Sequence, residues 1–172
     1  MKAARLLVLA LACASTQCSW AADKPAPVLR ESQASEAALI DALAPTLSRQ
    51  WVPGQRPPPG KASLLITFVT GSATLTKPAP EALNRVAAAL KHERLAQASF
   101  TIEGHADPRG GAARNQALSL ARAQSVVDYL AQAQGLDPAR LKAEGKGASE
   151  LLKPDTPAAP ENRRVTIVAR AP

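Results

Sequence analysis

The sequence has few cysteines, few aromatic residues and no long apolar run, and each shortage removes a class of function. Cysteine occurs twice in 172 residues, at Cys13 and Cys18. Both precede Ser19-Trp20-Ala21, and the chain opens with Lys2 and Arg5 followed by an apolar stretch over 6–12. A basic start, a short apolar stretch and a small-x-small triplet make a secretory signal peptide over 1–21. The mature chain then enters an oxidising compartment without a thiol, which excludes disulfides and zinc–thiolate sites. A competing reading, acylation of Cys18 as a lipoprotein N-terminus, is opposed by Gln17, which stands where a small residue is wanted. The apolar stretch is far shorter than the roughly 20 residues that cross a bilayer, so no transmembrane span is expected.

Aromatic residues beyond the leader are limited to Trp51, Phe68, Phe100 and Tyr129. The formal charge is +7, and the loss of Lys2 and Arg5 with the leader leaves +5. A basic chain invites a nucleic-acid reading, but four aromatics do not furnish the stacking platforms that single strands require. Nucleic acid is therefore set aside as a partner. Anionic polymers of the cell envelope are preferred, with most surplus Lys and Arg on solvated surface.

Proline, by contrast, is abundant. Seven prolines fall between residues 23 and 60, including Pro57-Pro58-Pro59 next to Pro53-Gly54. This composition predicts an extended spacer over 22–61, able to reach about 120 Å at roughly 3.1 Å per residue. Inside it, 31–43 has the pattern of a short helix with Ala37, Ile40 and Leu43 on one side, ended by Pro45.

The folded domain is expected over 62–172. A β-rich apolar run at 64–69 reads as a strand bounded by Gly71. Pro78 and Pro80 suit a first helical turn, and Leu83, Val86, Ala87 and Leu90 then recur at helical spacing. A second strand is read at 99–103 and a second helix from about Arg114 to Gly135, with strands at 141–144 and 165–169 completing a β-α-β-α-β-β order. In the second helix, Leu120, Ala123, Val126, Val127 and Leu130 fall within an arc of about 120°, a predicted core stripe. Asn115 and Arg122 are seven positions apart and lie within about 20° of each other, just outside that stripe.

The chemistry-bearing residues follow the second strand: Glu103-Gly104-His105-Ala106-Asp107-Pro108-Arg109-Gly110, then Asn115, Leu118-Ser119, Arg122-Ala123 and finally Asn162-Arg163-Arg164-Val165. In kind, order and spacing these resemble the OmpA C-terminal family, which includes peptidoglycan-associated lipoproteins and flagellar stator anchors. The resemblance covers about 64–168. It implies an α+β fold, an OmpA-like β-α-β-α-β-β sandwich with a small mixed sheet and two long helices. It also implies non-covalent binding of the diaminopimelate in peptidoglycan stem peptides, with Asp107 taking the ammonium and Arg122 the carboxylate. The chemistry is sound, because a zwitterionic head calls for an anion and a planar bidentate donor held close together. By the same resemblance Asn115 belongs to the pocket and Thr70-Gly71 line it. Arg163 and Arg164, adjacent in an expected strand, point to opposite faces, so one of the two is expected in the pocket.

Each residue also has a plainer reading. Asp107 can cap the turn Pro108-Arg109-Gly110, Arg122 can be a surface helix residue, and His105 is expected to be packed and hydrogen-bonded rather than a base. Ala106 replaces the threonine often seen before the aspartate in the family, which removes one hydroxyl from the expected site. The segment 150–161 is a proline-rich loop of open role.

If the second strand ran on to Asp107, Glu103, His105 and Asp107 would share a face as a metal triad, but Gly104 and the following turn break that alignment. No nucleophile constellation is present. The expectation is a binding protein of the periplasm, in contact with the outer membrane side of the envelope, with no enzymatic activity, metal or cofactor. Peptidoglycan is its expected partner; a protein-interaction module of an envelope or secretion complex is the alternative.

Overall fold

The computed structural model describes residues 28–44 and 59–170. The leader at 1–21 and the proline cluster around Pro57 lie outside the described residues. The elements are β1 (Val28–Arg30), α1 (Glu36–Leu43), β2 (Gly60–Leu65), α2 (Ala79–Lys91), β3 (Ser99–His105), α3 (Ala112–Asp128), β4 (Leu141–Gly147) and β5 (Val165–Arg170), joined by turns and short 3-10 or π segments. From β2 onward this is the expected β-α-β-α-β-β order. The five strands form one mixed sheet in the order β1-β2-β5-β3-β4. β5 is antiparallel to both β2 and β3, while β1 pairs in parallel with β2 and β4 with β3.

Strand alternation sorts the sheet into two chemically different faces. Register pairs Ala62 with Ile167, Leu64 with Val165, Phe100 with Ala169 and Ile102 with Ile167, and these seven apolar residues are all buried under the helices. The intervening positions are largely polar: Ser63 meets Thr166 through a buried hydroxyl–hydroxyl hydrogen bond of 2.9 Å, and Glu103 stands opposite Glu144. The core lies between the apolar face and Leu83, Val86 and Leu90 of α2, and Ala123 and Val126 of α3, with Leu130 just beyond.

Close helix–sheet approach depends on glycine at two places. A Cβ on Gly104 would stand 2.1 Å from the Ser119 carbonyl oxygen, and one on Gly60 would stand 2.0 Å from the Leu43 oxygen. No side chain fits either gap. Gly104 thus lets α3 lie against β3, and Gly60 lets the end of α1 lie against β2.

Three expectations are corrected. First, 28–44 is not extended spacer. β1 extends the sheet, Ser35 caps α1 by accepting from the Ala38 amide, and Leu39, Ile40 and Leu43 enter the common core. Ala37, expected on the packed side, is exposed. Proline marks the flanks of this segment but does not govern its interior, where an apolar helical stripe finds a partner in α2. Second, Leu120 is 45% exposed. Its backbone lies against Gly145 of β4, so the helix turns that position outward past the sheet edge. Third, β2 ends at Leu65: the Thr67 amide donates to Glu31 instead of a strand, and Phe68 pairs with Leu75.

Candidate functional site

At one end of the sheet, the turn after β2, the loop after β3, the first half of α3 and the approach to β5 surround a cleft of about 930 Å³. All seven residues expected at the site, Thr70, Gly71, Asp107, Asn115, Arg122, Arg163 and Arg164, line it.

Asp107 lies two residues beyond β3 with a side chain only 7% exposed. Its Oδ1 accepts from the Arg109 amide at 3.1 Å and Arg109 Nε at 3.2 Å, while Oδ2 accepts from Arg109 Nη2 at 2.8 Å and Arg163 Nη1 at 2.9 Å. The Arg109 guanidinium, opposed by desolvation and assisted by Arg163, holds this carboxyl down at about 2. The turn-capping reading is therefore physically present, in the amide contact, alongside three charge-assisted hydrogen bonds from two arginines. Arg109 was not singled out as a site residue from sequence, although its position two residues after an aspartate is the signal for such a turn.

Arg122 projects from α3 across Phe68, with its guanidinium carbon 5.1 Å from the ring centroid. Nε donates to the Ser72 carbonyl at 3.0 Å, which ties the turn holding Thr70 and Gly71 to the helix. Among the described residues, Nε is the nitrogen of this guanidinium that is engaged. Burial, with help from Arg163, lowers its pKa, and Asp107 opposes that shift.

The other motif residues build the frame. Asn115 is buried and its Nδ2 donates to the Asp107 carbonyl at 3.0 Å, so it positions the loop. Ser119 accepts from the Gly147 amide at 2.9 Å and fastens α3 to β4. Asn162 is fully buried; it accepts from Lys153 and donates to the carbonyls of Lys153, Thr156 and Pro157. It thereby organises the proline-rich loop whose role was open. Arg163 and Arg164 precede β5, so strict strand alternation does not separate them, and both line the cleft. They do differ in partner. Arg163 reaches Asp107, whereas both terminal nitrogens of Arg164 donate to the Glu150 carbonyl at 3.2 Å.

His105 is buried as expected, but neither ring nitrogen has a hydrogen-bond partner among the described residues. Burial, reinforced by Arg164 and Lys146, pushes its pKa down to about 3. The triad considered from sequence does not form, because Asp107 turns into the cleft. Glu150 takes its place: one ligand-type atom each of Glu103, His105 and Glu150 lie within 4.8 Å of one another. The Lys146 ammonium stands among the acids, 2.9 Å from Glu144 and 3.4 Å from both Glu103 and Glu150, and offsets part of their charge.

The sequence model of the OmpA family matches residues 67–165. The chain belongs to the OmpA family. It is 35% identical over 96 residues to Outer membrane protein A of Klebsiella pneumoniae, which covers 56% of this chain and 27% of that protein. The cell wall anchor of the T6SS from Pseudomonas aeruginosa superposes with a TM-score of 0.54 at 29% identity, over 67% of this chain and 83% of that one. The peptidoglycan-associated lipoprotein from Burkholderia pseudomallei superposes with a TM-score of 0.53 at 25% identity, over 73% of this chain and 99% of that one. The chain spans less than half the length of the first curated relatives it matches. Among the described residues no helix is long and apolar enough to cross a membrane.

Proposed function

We propose that this OmpA-family chain is a periplasmic anchor whose cleft binds the diaminopimelate of peptidoglycan stem peptides without covalent chemistry. The observation carrying this reading is one cleft that joins a buried carboxylate, Asp107, to the Arg122 guanidinium, whose terminal nitrogens have no partner among the described residues. Those two groups match the ammonium and carboxylate of an amino-acid head. The names of the relatives, a cell wall anchor and a peptidoglycan-associated lipoprotein, support the same partner.

In the free cleft Asp107 is already served by two arginines, so an incoming ammonium must share or replace one. Arg109 is the one that yields, since its side chain is 67% exposed and that of Arg163 is 38% exposed. Arg163 stays on Oδ2 and keeps the carboxylate ionised. Arg122 offers its free edge to the ligand carboxylate while Phe68 and Ser72 hold its plane, a geometry a lysine cannot reproduce. A single small head buries little area, so one-site affinity is modest and the repeating wall raises it through avidity.

The test is sedimentation of the mature protein with isolated diaminopimelate-type sacculi. Wild type is expected to pellet, and folded Asp107→Ala and Arg122→Ala variants to remain in the supernatant. A folded wild type that fails to pellet overturns the reading and moves a protein partner to the front.

A further inference from the structure

The cleft carries more positive charge than a single zwitterion uses. Six arginines line it against two carboxylates, Glu31 and Asp107. Glu31 is committed to Thr67, accepting from its amide at 2.8 Å and its hydroxyl at 3.0 Å. Asp107 is shared by Arg109 and Arg163, and Arg164 is held at the Glu150 carbonyl. With Arg122 assigned to the ligand carboxylate, Arg30 and Arg114 remain, both exposed and with neither guanidinium in an ion pair with a described residue.

Arg30 is delivered to this place by well-anchored structure. It ends β1 in register with Leu65, itself a lining residue. The following turn is clamped by Arg85, whose Nε donates to the Ala34 carbonyl at 2.9 Å and Nη2 to the Glu31 carbonyl at 2.6 Å. Leu39 and Leu43 of α1 then lock the segment into the core. The segment carrying Arg30 lies before residue 67, where the match to the family begins, and Arg85, inside the match, fastens it. Two guanidinium groups at the wall of a cleft, without an ion pair among the described residues, attract anionic groups, and their planar donors suit a carboxylate.

Building on the anchor reading, we propose that Arg30 and Arg114 form a second anion subsite, contributed in part by the N-terminal segment. The preferred ligand then carries a further carboxylate beside the diaminopimelate head. In a stem peptide that group is the α-carboxylate of the neighbouring γ-linked D-glutamate, in its free and not its amidated form.

The experiment titrates the full chain with soluble N-acetylmuramyl-L-alanyl-γ-D-glutamyl-diaminopimelate, free or amidated at the glutamate α-carboxylate, and with diaminopimelate alone. Amidation is expected to weaken wild-type binding about fivefold, the scale of an exposed ion pair. In the Arg30→Gln/Arg114→Gln double variant the two peptides are expected to bind alike. Both residues are exposed, and matching circular dichroism and melting curves establish that the variant is folded. If wild type binds both peptides equally while Asp107→Ala loses both, the second subsite falls and the anchor reading stands. If wild type binds neither peptide nor diaminopimelate, both fall together.

Discussion

Two charge clusters sit at the same end of β3, and they are electrostatic opposites. In one, the carboxylate of Asp107 is surrounded by the guanidinium groups of Arg109 and Arg163. In the other, the ammonium of Lys146 is surrounded by the carboxylates of Glu103, Glu144 and Glu150. The second closes on itself. Register sets Glu103 directly opposite Glu144, where like charges repel, and Lys146 relieves that repulsion. The first opens into the cleft, has one exposed partner able to leave, and is ringed by further cations with spare donors. Ion pairing therefore serves two ends: a cluster whose one ammonium is wholly taken up by three carboxylates braces the sheet, and one with donors left over is fit to take a ligand.

The most severe way to break this contrast is Asp107→Ala, which leaves Arg109 and Arg163 facing each other. Wall binding is expected to fall at least tenfold in the sedimentation assay, a loss of roughly 1.4 kcal/mol or more. Lys146→Met is its mirror. Wall binding should persist while stability in urea falls by about 1–3 kcal/mol, because partly buried carboxylates lose their counter-charge.

The pH response of the two regions also separates. His105, beside the Lys146 cluster, has its folded pKa lowered from 6.5 to about 3, so the unfolded chain takes up its proton first. Stability then declines as pH falls from about 6.5 toward 3, by at most about 3 kcal/mol at pH 4, and the His105→Gln variant should lack this decline. The imidazole resonances of His105 are expected to stay in their neutral position down to pH 4.5. Asp107 has a folded pKa lowered from 3.8 to about 2, so its stabilisation is intact above about pH 4 and disappears as pH falls through 2. Its effect is smaller, on the order of 1 kcal/mol, since Arg109 is solvent-screened. The smallest effect belongs to Glu144→Gln, with a side chain 39% exposed, where about 0.5 kcal/mol of stability is expected to be lost and wall binding left unchanged.

Much of this molecule is legible in the residue order. Periodicity located α2, α3 and the strands from β2 onward, and the ordered motif, with the family resemblance supplying Thr70 and Gly71, named seven residues that line one cleft. The failures have physical reasons. Residues 28–44 were assigned to the spacer because proline content around them outweighed an eight-residue apolar helix, whose docking on α2 no local pattern reveals. Leu120 shared the arc of the α3 stripe, but α3 overhangs the edge strand there, and a helical wheel carries no information about where a neighbouring sheet stops. His105 was expected to find hydrogen-bond partners, and the fold supplies none among the described residues.

The sequence by itself determined the elements from β2 onward and the chemical inventory, because apolar periodicity, proline and glycine placement and the spacing of Asp107, Asn115 and Arg122 are local properties of the chain. Only the tertiary structure decided how those groups are used. It set Arg109 and Arg163, residues 54 positions apart in the chain, on the two oxygens of one carboxylate and Lys146 among three acids. It also brought Arg30 to the cleft. Pairing of charges depends on distances across the fold, and those distances follow from how the sheet, the helices and the N-terminal segment pack.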